Sequence, residues 1–182
     1  MASKNEISAL IAKLDTQGDI AAEKVIQKLV KIGKTVVPSL LEAAQNEDTP
    51  RIMKWSLLAL GSVGDKRAIP VLRKALNHER MTVKLVAIGG LARMKNKASA
   101  KLIASLLCDK SGGVQGRALK ALIVLNDRSV VAKILPMLDD PKWYIRQEAC
   151  NACGHFQIQS ATPKLLALSK KDERKAVRTA AT

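Results

Sequence analysis

A period of 31 residues runs through this chain. Stepping by that interval from Ile52 reaches Val83, Val114 and Ile145. From Ser56 it reaches Ala87, Ala118 and Ala149; from Ala59, Gly90, Ala121 and Ala152; from Leu60, Leu91, Leu122 and Cys153; from Leu72, Ile103, Ile134 and Leu165. Each series keeps one chemical type, aliphatic or small, and all five share one register from about Asp48 to Lys170. A fixed period of this length marks a repeat architecture, in which each period is one supersecondary unit that cannot bury its apolar face alone.

Within a period the spacing is helical. Ile52, Ser56, Ala59, Leu60 and Val63 form one stripe of a helix. Gly61-Ser-Val-Gly-Asp65 then breaks the chain, with glycine supplying a left-handed residue near the helix end and Asp65 capping the next helix. That second helix turns Ile69, Leu72, Ala75 and Leu76 inward, and Pro70, like Pro163 at the matching place, falls in its first turn, where a missing N–H costs little. The small column of Ala59, Gly90, Ala121 and Ala152 suits close backbone approach, and Gly89-Gly90 is read as packing.

Asp48–Leu72, which opens Asp-Thr-Pro-Arg-Ile and ends Ala-Ile-Pro-Val-Leu, and Asp140–Ala149, which opens Asp-Pro-Lys-Trp-Tyr-Ile-Arg, resemble units of the HEAT-like repeat family, including those of phycobilin lyases and bacterial scaffolds. The resemblance implies an all-α fold: a right-handed α-solenoid of about five stacked antiparallel helix pairs. It implies one domain over residues 1–182, with units at about 18–47, 48–78, 79–109, 110–139 and 140–171, and a partial unit or cap at 172–182. The first unit turns Val25, Leu29 and Ile32 inward, with Pro38 in its second helix. Ile7, Leu10, Ile11 and Leu14 predict a leading helix. Ala176-Val-Arg178 repeats the pattern of Tyr144-Ile-Arg146.

The chain carries 31 Lys and Arg against 16 Asp and Glu, a net charge of +15. Such an excess attracts an anionic partner and says nothing about fold. From Arg80 to Cys108 there are six basic residues, Arg80, Lys84, Arg93, Lys95, Lys97 and Lys101, and no acidic one. Lys66, Lys97 and Arg128 share one column of the repeat, at the start of the second helix, and Lys133 and Lys164 share another. Helices in such stacks lie roughly 8–10 Å apart. At that spacing the repulsion within a column is largely screened at physiological salt, where the Debye length is about 8 Å. The second helices of the resembled family line a concave face, which implies a basic groove. Lys66, Arg67, Lys97, Lys101, Arg128, Lys133 and Lys164 are therefore the candidate charge contacts. Trp143 and Tyr144, at the start of a helix, are candidate aromatic anchors, since aromatics dominate binding hot spots; packing over the junction between units is the competing role.

The remaining motifs carry little chemistry. Cys150-Asn-Ala-Cys153 lacks the second ligand pair of a structural zinc site, and the two thiols take the register places of Leu57 and Leu60, as small hydrophobes do. With Cys108 they make an odd, sparse set that suggests a reducing, cytoplasmic setting rather than a disulfide framework. Ser111-Gly-Gly-Val-Gln-Gly-Arg117 lacks the Lys-Ser/Thr of a phosphate loop and follows no strand. His78 and His155 stand outside any metal motif, and the paired His-Glu motifs of HEAT-like hydroxylases are missing. Trp55 and Trp143 fall at different phases of the repeat and build no base-stacking platform. The sequence thus predicts a non-catalytic scaffold without cofactor or metal, docking an acidic protein surface. Sequence-independent contact with a DNA or RNA phosphate backbone is the first alternative, and a lyase-type enzyme subunit the second. No apolar run reaches the ~20 residues that span a bilayer, so no membrane contact is expected.

Overall fold

Segments rich in Ala, Leu and Lys, with an apolar residue every third or fourth position, form helices, and a computed structural model shows them doing so over the described residues, 3–15 and 18–182, with no strand among them. Met1, Ala2, Thr16 and Gln17, part of the expected domain, lie outside the described residues. The chain divides into two compact units, Met1–Asn96 and Lys97–Thr182.

In the first unit, α1 (Lys4–Ala12) opens with a capping box: the Ser3 hydroxyl accepts the Glu6 N–H and the Glu6 carboxylate accepts the Ser3 N–H, satisfying two orphan donors at once. Ile7, Ile11 and Leu14 are buried and Leu10 half-buried. In α2 (Asp19–Ile32) the buried stripe is Ala22, Ile26 and Leu29. Val25 and Ile32, expected inward with Leu29, are only half-buried. Then come α3 (Val37–Ala43), α4 (Pro50–Val63), α5 (Ile69–Ala75) and α6 (Met81–Arg93). α4 packs against α2, α3 and α6, and α5 packs on α6. Leu57, Ala59, Leu60, Leu72, Val83, Ala87, Ile88 and Leu91 form the almost wholly inaccessible interior.

The second unit holds α7 (Ala100–Ser105), α8 (Gly112–Leu125), α9 (Val131–Ile134), α10 (Trp143–Phe156), α11 (Thr162–Lys171) and α12 (Lys175–Ala180). α10 packs on α8, α9 and α12; α7 packs on α8 and α11 on α12. α9 gives way after one turn to a 3₁₀ stretch, Leu135–Asp139, at Pro136, which has no N–H to offer the preceding turn. α11 carries no buried residue. Leu165, the last member of the Leu72 series, is therefore only half-buried, whereas Leu72, Ile103 and Ile134 are fully buried.

The turn between the two helices of each repeat is set by one backbone position. Gly33, Gly64, Lys95, Asn126 and Gln157 all have positive φ, between 51° and 82°, and follow one another at the period of the repeat. α4 runs straight through Gly61 and ends only at left-handed Gly64. A residue with a Cβ pays on the order of 1 kcal/mol there, and glycine returns part of that gain through its freer unfolded chain. Lys95→Gly and Gln157→Gly should each stabilise the protein by about 0.5–1 kcal/mol, read as a rise in urea midpoint at unchanged slope. Gly64→Ala should do the reverse, and a fall in midpoint for both glycine variants would refute this reading.

Candidate functional site

The candidate charge contacts divide by what their side chains do. Lys66, Lys97, Lys101, Arg128 and Lys133 are exposed, and among the described residues none of the five has an ion-pair or hydrogen-bond partner. Arg67 is exposed too but is engaged in its own turn. Its Nε and Nη2 donate to the two Asp65 carboxylate oxygens at 3.0 and 2.9 Å, and Nη2 also donates to the Lys34 carbonyl. Asp65 in turn accepts the Arg67 N–H at 2.9 Å. These bonds favour the charged carboxylate and hold the Asp65 pKa down at about 2. Lys164 is half-buried and paired with Asp139. Sequence position marked both residues as cations but could not reveal the neighbouring carboxylates that neutralise them.

In the second unit, Lys97 and Lys101 are one turn apart and line a shallow cavity of about 270 Å³ with Leu125, Asn126 and Asp127. Arg128 follows directly. Asp127 already caps its own turn by accepting the Ser129 N–H. The local arrangement is thus two unpaired ammonium groups beside a turn, with Arg128 next in sequence. Because the Asp127 carboxylate lines the same cavity, the two ammonium groups leave a local excess of one positive charge there.

The aromatic candidates separate as well. The Tyr144 hydroxyl lies against Gly112, where a Cβ would approach it to 2.4 Å. Tyr144 therefore fills the space that the first glycine of Ser111–Arg117 leaves open, and that glycine serves packing. Trp143 is 37% exposed and meets Tyr144 edge-on, with the Arg174 guanidinium 5.9 Å from its ring centre, a cation–π distance. Trp55 is no surface platform: it is 5% exposed, under the Lys54 ammonium at 3.7 Å.

Burial pushes both Cys150 and Cys153 up to about 11, so these thiols stay protonated and unreactive at neutral pH. No group of three or more His, Cys, Asp or Glu among the described residues is placed to hold a metal ion, and no helix among them is long and apolar enough to cross a membrane.

The turns that link successive repeats share a device that the 31-residue pattern did not announce. Asp109, Asp140 and Asp172 each accept the N–H two residues on, from Ser111, Lys142 and Arg174. His78 takes that place in the first unit, its Nδ1 accepting the Arg80 N–H at 3.0 Å. Beside His78 opens a cavity of about 420 Å³ floored by Met53, Leu57, Ala75 and Val83 and rimmed by Glu47, Lys74 and Glu79. Its signal in the sequence is the break in the Asp109–Asp140 series at His78.

The family model for HEAT repeats matches residues 7–92 and 100–182. The YibA protein of Escherichia coli has a similar fold, with a TM-score of 0.81 at 19% identity over 100% of this chain and 74% of its own. The complex of CpcE and CpcF of phycocyanin lyase from a Nostoc species gives 0.68 at 19% identity, over 98% of this chain and 76% of that chain. A designed armadillo repeat protein in complex with the peptide (KR)4 gives 0.62 at 16% identity, over 97% and 96%. Among curated proteins no relative matches the sequence.

Proposed function

Because this chain belongs to the HEAT-repeat family, whose repeats bury one face and leave a long surface free, we propose that it is a non-catalytic scaffold that docks an acidic partner protein on a basic surface. The observation that carries this reading is the set of five exposed, unpaired cations at Lys66, Lys97, Lys101, Arg128 and Lys133, in a chain of net charge +15. Arg67 and Lys164 contribute less, since Asp65 and Asp139 already offset their charge. Trp143 adds an exposed aromatic that a partner can cover; Tyr144 is already packed against Gly112.

Two fold relatives support a protein partner. The CpcE–CpcF structure is a complex of two proteins, and the designed armadillo protein holds a basic peptide. This chain itself carries a net charge of +15, so the complementary ligand is acidic. Charge of this kind chiefly steers association and selects partners.

Affinity capture from the source cell, with and without nuclease, tests the proposal. Acidic proteins should remain bound after nuclease and should be lost from a Lys97→Glu/Lys101→Glu/Lys133→Glu variant that melts like the parent. If everything captured disappears with nuclease, phosphate-backbone binding takes the place of this reading. Duplex affinity should then fall about 10³-fold or more between 50 and 200 mM salt.

A further inference from the structure

The cavity beside His78 has a counterpart in the second unit that is already filled. Met53, Lys84, Gln115 and Arg146 occupy one position of the repeat. At that position Gln115 donates to the Asp109 carbonyl at 2.7 Å. Arg146 does more. Its Nη1 donates to the Asp140 and Pro141 carbonyls at 2.9 and 3.1 Å, and its Nε and Nη2 grip the Asp172 carboxylate at 2.7 and 3.0 Å. Its aliphatic stem lies inside, with only 12% of the side chain exposed. Beside the hollow the residue is Met53, whose side chain has no N–H to donate, and the carboxylate of the capping series is replaced by His78. What remains is the hollow of about 420 Å³, within the size of small-ligand clefts.

We propose that this hollow receives an arginine side chain of a partner protein, which takes the place that Arg146 fills from within its own chain. The floor of Met53, Leu57, Ala75 and Val83 is apolar and buried, and suits the three methylenes of the stem. By register, Glu47 and Asp48 correspond to Asp140 and Pro141, whose carbonyls hold Arg146. Neither the Glu47 nor the Asp48 carbonyl accepts a backbone hydrogen bond in the turn. The rim carries two carboxylates, Glu47 and Glu79, against the one ammonium of Lys74. This makes it locally acidic in a strongly basic chain. α3 and α5 both end at its wall, and helix C-termini favour cations. Lys66, which precedes α5, lies toward the opposite end of that helix, so this site does not rest on the acidic-partner reading.

The probe is N-acetyl-arginine amide, followed through the Met53 methyl resonance in protein labelled at methionine methyls, with N-acetyl-leucine amide as the control. The arginine amide should shift Met53 saturably with a Kd of about 1–10 mM, the range open to so small a ligand, while the leucine amide leaves it unmoved. Glu47→Gln/Glu79→Gln should weaken the response about threefold, as expected for solvated charge pairs. In protein labelled at leucine and valine methyls, Met53→Arg should abolish the arginine-induced changes that the parent shows at the neighbouring Leu57 and Val83 methyls, without lowering the melting temperature. A stronger response to the leucine amide overturns the proposal, as does no response to either amide at about 50 mM. An undiminished arginine response in Met53→Arg places binding elsewhere and overturns it too. Should Met53→Arg not fold, the titrations of the parent and of the glutamine variant still decide.

Discussion

Gly61→Val should destabilise the first unit by at least about 3 kcal/mol, at the upper end of what overpacking costs. A Cβ at Gly61 would lie 2.5 Å from the Gly90 Cα, and one at Gly90 would lie 3.3 Å from the Gly61 Cα. At Gly61 the obstacle is backbone alone, so no rotamer change relieves it and α4 and α6 must move apart; at Gly90 the Leu72 side chain stands equally near. That separation would open the joint where Leu57, Leu60, Ala87 and Leu91 are buried. Even Gly61→Ala should lose stability, although alanine gains about 1 kcal/mol of helix propensity over glycine. The neighbouring control has the opposite sign. A Cβ at Gly89 meets nothing within 4 Å, so Gly89→Ala should stabilise by about 0.5–1 kcal/mol. Urea denaturation of the three variants is the measurement. A Gly61→Val protein as stable as the parent would mean that α4 and α6 are not in backbone contact.

These glycines show how far the sequence can be read. The 31-residue period located Leu60, Leu91 and Leu122, and all three are inaccessible. It located Gly90 in a column of small residues, and Gly90 does touch its neighbour's backbone. The pattern could not separate Gly89 from Gly90, nor tell that Gly61 lies within α4 while Gly64 ends it. Glycine is chosen both for left-handed turns and for close helix approach, and one letter stands for both. The turn position itself tolerates Lys95, Asn126 and Gln157. Packing of the flanking helices imposes the conformation there, and local preference yields.

The exposure of the candidate cations was legible in the same partial way. A repeat phase tells which cations occupy equivalent places, and five of the seven chosen are exposed and unpaired. Whether a cation is already neutralised depends on where its side chain meets a carboxylate, in its own turn as Asp65 for Arg67 or from another as Asp139 for Lys164, and the phase of the cation alone does not reveal it. The hollow at His78 was marked only faintly, by the break in the cap series, for a related reason. It arises from a substitution at Met53 acting together with another at His78, in the cap of a later turn, and neither residue is unusual by itself.

Removing Arg146 has the other large expected effect. The Arg146–Asp172 pair is nearly closed to solvent, with 12% and 3% of the two side chains exposed. Arg146→Met should cost about 3–5 kcal/mol, the usual cost of stranding a buried charge. Most of it comes from leaving Asp172 charged and unpaired rather than from the intrinsic strength of the pair. Asp172→Asn should cost less, because an amide oxygen can still accept the Arg174 N–H that Asp172 accepts at 2.9 Å, and Arg146 keeps its bonds to the Asp140 and Pro141 carbonyls. Acid distinguishes the two causes. The hydrogen bonds from Arg146 hold the Asp172 pKa below its ordinary value, so the carboxylate contributes stability that is complete above the unfolded pKa of about 3.9 and is lost as pH falls through the lower folded value. In Arg146→Met that depression is gone, and protonation removes the stranded charge. The gap between parent and variant should therefore be widest near neutral pH and narrow steadily below about pH 4. Urea titrations of both proteins between neutral pH and about pH 3 measure it. A gap that stays constant with pH would assign the loss to the Arg146 stem and its carbonyl bonds, not to its charge.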